Sequence, residues 1–136
     1  MEDSCKSKRK DIIIRYKSVT PKITNKRKLG NEKEQIAKKY LESKEYQIIE
    51  ENFYAKGGEI DLIGKNDGYL VFIEVKYRSI DMTGHPLEAV DYQKQNKLRF
   101  TAQYYMYKNH ISEDTPCRFD VVAILGDEIT VVKDAF

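Results

Sequence analysis

From residue 29 onward the chain settles into recurring apolar patterns. Ile36, Ala37, Tyr40 and Leu41 recur at helical spacing, which predicts a helix over residues 31–44. Asn31 stands where an N-cap belongs, with Glu34 three residues later as in a capping box. Over residues 46–54 the period shortens to two: Ile49, Glu51 and Phe53 alternate with Ile48 and Glu50, the pattern of a strand. Lys56-Gly57-Gly58 interrupts it. Residues 59–63 and 69–77 form two more predicted strands, joined through Gly64-Lys65-Asn66-Asp67-Gly68. Asp-Gly at the centre of such a link signals a hairpin with a type I′ turn. A loop over residues 78–86 leads to a long helix, 91–108. Its Leu98, Thr101, Ala102, Tyr105 and Met106 form one apolar face. Residues 118–125 and 128–133 are the last two strands, turned at Gly126-Asp127. The order is helix, three strands, helix, two strands. It predicts an α/β fold with a mixed central sheet flanked by helices.

Composition divides this picture in two. The 136 residues carry a formal net charge of +2, but residues 1–28 hold ten Lys/Arg against three acids. Residues 29–136 hold fourteen against nineteen. The chain therefore reads as a basic, flexible N-terminal extension (1–28) followed by a mildly acidic domain (29–136). Such an arm serves either as a nucleic-acid tether or as a solvated extension. Ile12-Ile13-Ile14 has strand character, with nothing local to fix its place. The longest apolar run, residues 69–73, is too short to span a bilayer, and no apolar segment follows the N-terminal charges as in a signal peptide. A cytoplasmic setting without membrane contact is expected. Cys5 and Cys117, His85 and His110 lack the spacing of a zinc or haem site.

The chemistry sits in the predicted hairpin. With Asp67-Gly68 as its two central residues, Asp61 falls opposite Glu74, and Glu59 opposite Lys76 on the same face. Directly paired Cβ atoms lie about 4.5–5.5 Å apart. Two carboxylates at about 5 Å repel by on the order of 3 kcal/mol at an effective dielectric of about 20. Ile60, Leu62, Phe72 and Ile73 mark the hairpin as core, so the charges have little access to water. A shared proton, a cation such as Lys76, or a divalent metal would each relieve the repulsion. Hard carboxylate oxygens suit Mg²⁺ or Mn²⁺. Spacing alone leaves a structural salt bridge and a metal site both open.

These residues also carry a family resemblance. Gly58-Glu59-Ile60-Asp61-Leu62-Ile63 followed by Val71-Phe72-Ile73-Glu74-Val75-Lys76-Tyr77-Arg78 resembles the D…ExK core of the PD-(D/E)XK nuclease superfamily. The chain is most similar there to the YraN family, itself similar to Holliday-junction resolvases. Glu88-Ala89-Val90, Lys94-Gln95, Ala102-Gln103-Tyr104-Tyr105, Arg118-Phe119-Asp120-Val121-Val122 and Asp134-Ala135-Phe136 follow in the family's order. The resemblance covers about residue 30 to the C-terminus and implies a restriction-endonuclease-like core. It implies a Mg²⁺- or Mn²⁺-dependent nuclease acting on DNA, with branched or damaged DNA among its substrates. Asp61, Glu74 and Lys76 would be catalytic. Asp61, Glu74, the Val75 carbonyl and Glu34 would bind metal. The family pattern G-x-x-G-E reads here Gly30-Asn31-Glu32-Lys33-Glu34, so Lys33 replaces the second glycine and Glu34 is either a ligand or a capping residue. A homodimer follows only by analogy with resolvases.

The remaining candidates have plain readings beside the functional ones. Lys94, Gln95, Lys97 and Arg99 open the long helix, as phosphate contacts or as a solvated face. Resemblance singles out Gln95 as support for the site. Arg78 and Ser79, just after the ExK strand, read as contacts to the scissile phosphate or as loop residues, and Lys94 as a substrate contact or part of the solvated face. Asp120, inside an apolar strand, reads as a structural ion pair. Tyr104, Tyr105 and Tyr107 read as core and rim rather than a base-stacking platform. Lys76 is read as stabilising charge rather than abstracting a proton, since neighbouring carboxylates favour its charged form. The alternative to a nuclease is a non-cleaving nucleic-acid-binding protein that keeps the fold.

Overall fold

The computed structural model describes residues 9–10, 14–15, 26–79 and 90–136. The expectations for Cys5, Ile12, Ile13, His85 and Glu88-Ala89, and most of the 78–86 loop, lie outside the described residues. In chain order the elements are β1 (Arg9–Lys10), β2 (Ile14–Arg15), α1 (Lys26–Ser43), β3 (Gln47–Ala55), β4 (Gly58–Asn66), β5 (Tyr69–Arg78), α2 (Tyr92–Lys108), β6 (Cys117–Leu125) and β7 (Glu128–Lys133). Five strands run β7-β6-β5-β4-β3, and β1 and β2 both pair antiparallel with β7. Within the five, β5 and β6 are parallel and every other pair is antiparallel. This mixed sheet, flanked by two helices, is the expected restriction-endonuclease-like core. No helix among the described residues is long and apolar enough to cross a membrane.

The central parallel pair explains the most apolar stretches of the sequence. Leu70 to Glu74 on β5 and Val121 to Ile124 on β6 are buried without a break, as strands covered on both faces must be. Val71 and Ile73 pack with Ala37, Tyr40 and Leu41 of α1. Leu70 and Phe72 pack with Leu98, Ala102 and Tyr105 of α2. Tyr105 sets its ring edge-on to Phe53 at 5.0 Å and to Phe72 at 6.0 Å. Helix α2 comes so close to β4 at Gly58 that a Cβ there would strike the Thr101 hydroxyl. The glycine is therefore required for helix docking. The β4–β5 turn is as predicted: Asp67 and Gly68 both take the left-handed conformation, φ 55° and 83°.

Helix α2 starts where expected, with Asp91 as N-cap accepting from the Lys94 amide at 2.9 Å. Helix α1 does not. It begins at Lys26, so Asn31 is no cap and Glu34 lies well inside the helix. The apolar stripe extends further back than the sequence pattern showed, through half-buried Leu29 and buried Lys33. Lys33 lays its ammonium 4.4 Å from the centre of the Tyr77 ring.

Period-two alternation also fails within β3, where the register shifts between Ile48 and Glu50 and the strand changes face again further on. Glu51 and Phe53 were expected on the same face of β3. Instead Glu51 accepts from Lys38 and Gln35 of α1, at 2.7 and 2.8 Å, while Phe53 packs under α2. Between them Asn52 has φ 52°. On the neighbouring strand Leu62 joins the α1-side core and Ile60 the α2-side core. Both strands thus change face at Asn52 and Asp61.

Candidate active site at a fork between two strands

The hairpin register follows the arithmetic from Asn66–Tyr69 to Leu62–Ile73, and there the ladder ends. Asp61 is the next residue. Instead of pairing through its backbone, its carboxylate Oδ2 accepts the Val75 N–H at 2.8 Å. A side-chain acceptor takes the place of a main-chain one, and β4 and β5 part to form a fork. Val75 packs toward the α1 core. Glu74, on the opposite face of β5, is buried and meets the Lys94 ammonium from α2 at 3.4 Å. The expected Glu59–Lys76 pairing does not form, because the ladder that would align them has ended. Lys76 instead stands 3.3 Å from Glu74.

Glu59 belongs to a different group. One carboxylate oxygen each from Glu34, Glu59 and Asp61 lie within 4.8 Å of one another. Glu34 reaches in from α1, Glu59 and Asp61 from β4. The Asn52 carboxamide sits beside them and, with its nitrogen turned inward, donates to Glu34 Oε1 at 2.9 Å and Glu59 Oε2 at 3.2 Å.

Among the described residues the negative charge here is undercompensated. Both neighbouring ammonium groups are on Glu74, and among the described residues none pairs with Glu34, Glu59 or Asp61. Burial, then the charge of Glu74, and after it Glu34 and Glu59, push the Asp61 carboxyl up to about 8, against the pull of the Val75 N–H. Burial and then Glu59 raise Glu34 as well, while its hydrogen bonds to Asp61 and Asn52 oppose the rise. Asp61 therefore holds a proton at neutral pH. The cluster's donors are hard oxygens, a set that fits a small divalent cation, whose charge would displace that proton.

The other expected residues are spread around this centre. Gln95 does not reach the carboxylates; its amide donates to the Val90 carbonyl at 3.3 Å, at the start of α2. Arg78 turns back onto the Tyr77 carbonyl at 3.0 Å. Lys97 is exposed, and Arg99 lies 5.2 Å from the Phe136 ring, which stacks on Phe119. Asp120 is the structural residue it was read to be. It accepts from Arg118 twice, at 2.9 and 2.8 Å, from the Tyr46 hydroxyl and from the Asp134 amide. Two site residues escaped the sequence reading. Glu59 fell on the correct face but was given the wrong partner, and nothing in the pattern marked Asn52.

Known proteins match across most of this chain. A UPF0102 protein of Lachnoclostridium phytofermentans is 47% identical over 112 residues, covering 82% of this chain and 95% of the relative. One from Aliivibrio salmonicida is 47% identical over 117 residues, covering 84% and 95%. One from Thermodesulfovibrio yellowstonii is 44% identical over 108 residues, covering 79% and 95%. The family model matched spans residues 33–124, which takes in Glu34, Asn52, Glu59, Asp61, Glu74, Lys76 and Lys94 together. The chain belongs to the uncharacterised protein family UPF0102, the YraN family.

Proposed function

We propose that this protein is a Mg²⁺- or Mn²⁺-dependent nuclease that hydrolyses phosphodiester bonds in DNA, branched or damaged DNA included. The observation that carries the reading is the fork. A buried Asp61, fixed by the Val75 N–H, stands among Glu34, Glu59 and Glu74 with more negative charge than the cations among the described residues balance. A stabilising salt bridge has no need of that surplus, whereas a metal site does.

Asp61, Glu34 and Glu59 are the residues that would hold the ion, with Glu74 and the Val75 main chain at its border. When bound, the metal supplies an activated water and neutralises charge on the phosphate. The Val75 N–H fixes the direction of the Asp61 carboxylate, and Asn52 fixes those of Glu34 and Glu59. Lys76 and Lys94, held against Glu74, are the two positive charges that would stabilise a phosphate bound at the fork. Gln95 serves the site indirectly, through the start of α2. The basic residues 1–28 add salt-dependent affinity for a polyanion.

Linear, flapped and four-way DNA incubated with Mg²⁺ or Mn²⁺ provide the test. At least one is expected to be cut, with the rate falling on the order of 10²-fold or more in Glu74→Ala and Lys76→Ala. If the ion binds and all three substrates survive intact, a non-cleaving nucleic-acid-binding protein replaces this reading.

A further inference from the structure

Helix α2 carries a feature the active site does not use. Phe100, Tyr104 and Tyr107 are 62%, 41% and 79% exposed. Their spacing of four and three residues sets them on one solvent-facing ridge, opposite the buried Leu98, Thr101, Ala102 and Tyr105. Exposed aromatic rings in a row are costly to leave in water and point to a partner. The chemistry of the helix says which. Its 17 residues include Lys94, Lys97, Arg99 and Lys108 and no acid, in a domain that otherwise carries more acids than bases. Lys97 and Lys108 lie along one side of the ridge, the Lys108 ammonium 5.9 Å from the centre of the Phe53 ring, and Lys94 at its start touches Glu74 of the fork. The ridge therefore runs away from the fork, over roughly 20 Å from Lys94 to Tyr107 at 1.5 Å per residue.

We infer that this ridge is a binding track for single-stranded nucleic acid, leading an unpaired strand to or from the fork. Rings with lysines along one side match a strand that offers base faces and phosphates together. Paired bases in a duplex present no free faces to stack on. A protein partner would find cations without acids, a poor match for an ordinary mixed-charge surface. The inference rests on the nuclease reading for its purpose, and it names the form of the substrate: DNA with an unpaired segment.

The test is direct binding in the presence of EDTA, so that cleavage plays no part. A labelled oligothymidylate and a labelled duplex of equal length are titrated with the full chain and with Phe100→Ala/Tyr107→Ala. Both side chains are exposed, so the fold is expected to survive. The variant should lose on the order of 10–100-fold in affinity for the single strand, with little change for the duplex. Its slope of log K against log salt should stay unchanged, because stacking releases no counterions. Lys97→Gln/Lys108→Gln should instead flatten that slope. Equal losses on both probes, or no loss on the single strand, would overturn the track. So would a sedimentation shift showing that the ridge variant breaks a dimer. Cleavage by the ridge variant, measured separately with Mg²⁺, sets this inference apart from the nuclease reading. A chain that cuts nothing yet needs the ridge for single strands keeps the track and loses the nuclease. One that cuts duplex but binds single strands equally well without the ridge does the reverse.

Discussion

Asp61→Asn is expected to make the metal-free protein more stable at pH 8. In the native state the Asp61 carboxyl is pushed up to about 8, chiefly by burial and by Glu74. In the unfolded chain it ionises near its ordinary value of about 3.9. Between those two values the folded state binds more protons than the unfolded one, so this group's contribution to stability falls as pH rises. It is fully present below about pH 4 and lost by the time pH passes 8. Half of that displacement alone is worth about 3 kcal/mol at pH 8. Asparagine cannot ionise, and its carbonyl can still accept the Val75 N–H. The expected result by urea unfolding is therefore a gain at pH 8 that shrinks on acidification, together with loss of the stabilisation that Mn²⁺ gives the unaltered protein. A structural salt bridge predicts the opposite sign, a loss of stability. Lys76 is not Asp61's partner but Glu74's, at 3.3 Å, so the substitution strands no cation.

The largest loss of stability is expected at the far side of the sheet. Arg118 and Asp120 are buried, with side chains 9% and 0% exposed. The guanidinium grips both carboxylate oxygens and also donates to Asn66 Oδ1 at 2.8 Å and the Tyr46 hydroxyl at 3.2 Å. Asn66 is next to the β4–β5 turn, Tyr46 precedes β3, and Asp134 follows β7. One ion pair thus ties three parts of the sheet. Arg118→Met leaves Asp120 charged in an apolar interior, with only the Tyr46 hydroxyl and the Asp134 amide as donors. The expected cost is about 3–5 kcal/mol. Arg118→Met/Asp120→Leu removes both charges and should recover most of it. A single variant as stable as the unaltered chain would show that the pair contributes little.

The sheet and helices were legible because their signals are local. The Asp67-Gly68 turn fixes its own geometry, and a two-residue turn then fixes the register of every pair up to Leu62–Ile73. The arithmetic stopped one residue short of the pair it was used for. There Asp61's side chain competes with the ladder for the Val75 N–H, a choice that periodicity cannot express. Asn31 and Glu34 matched a capping box, yet packing of Leu29 and Lys33 carries α1 past it to Lys26. Helix length is set more by tertiary packing than by cap signals. That same extension makes Glu34 an interior residue free to reach the fork. Lys94 and Gln95 differ by about 100° around the helix axis, and sequence does not set that rotation. Asn52 was invisible because its left-handed conformation is one asparagine tolerates, not one it announces.

Calorimetric titration of Mn²⁺ or Mg²⁺ into the full chain and into Asp61→Ala tests the central claim most directly. The cluster of Glu34, Glu59 and Asp61 should take up the ion with release of protons, seen as a dependence of the heat on buffer ionisation. Its affinity should rise as pH approaches 8, because Asp61 must shed its proton. Asp61→Ala should show no binding in the same range. Equal heats for the two proteins, or none for the unaltered one at pH 8, would contradict a metal centre at the fork and the nuclease built on it.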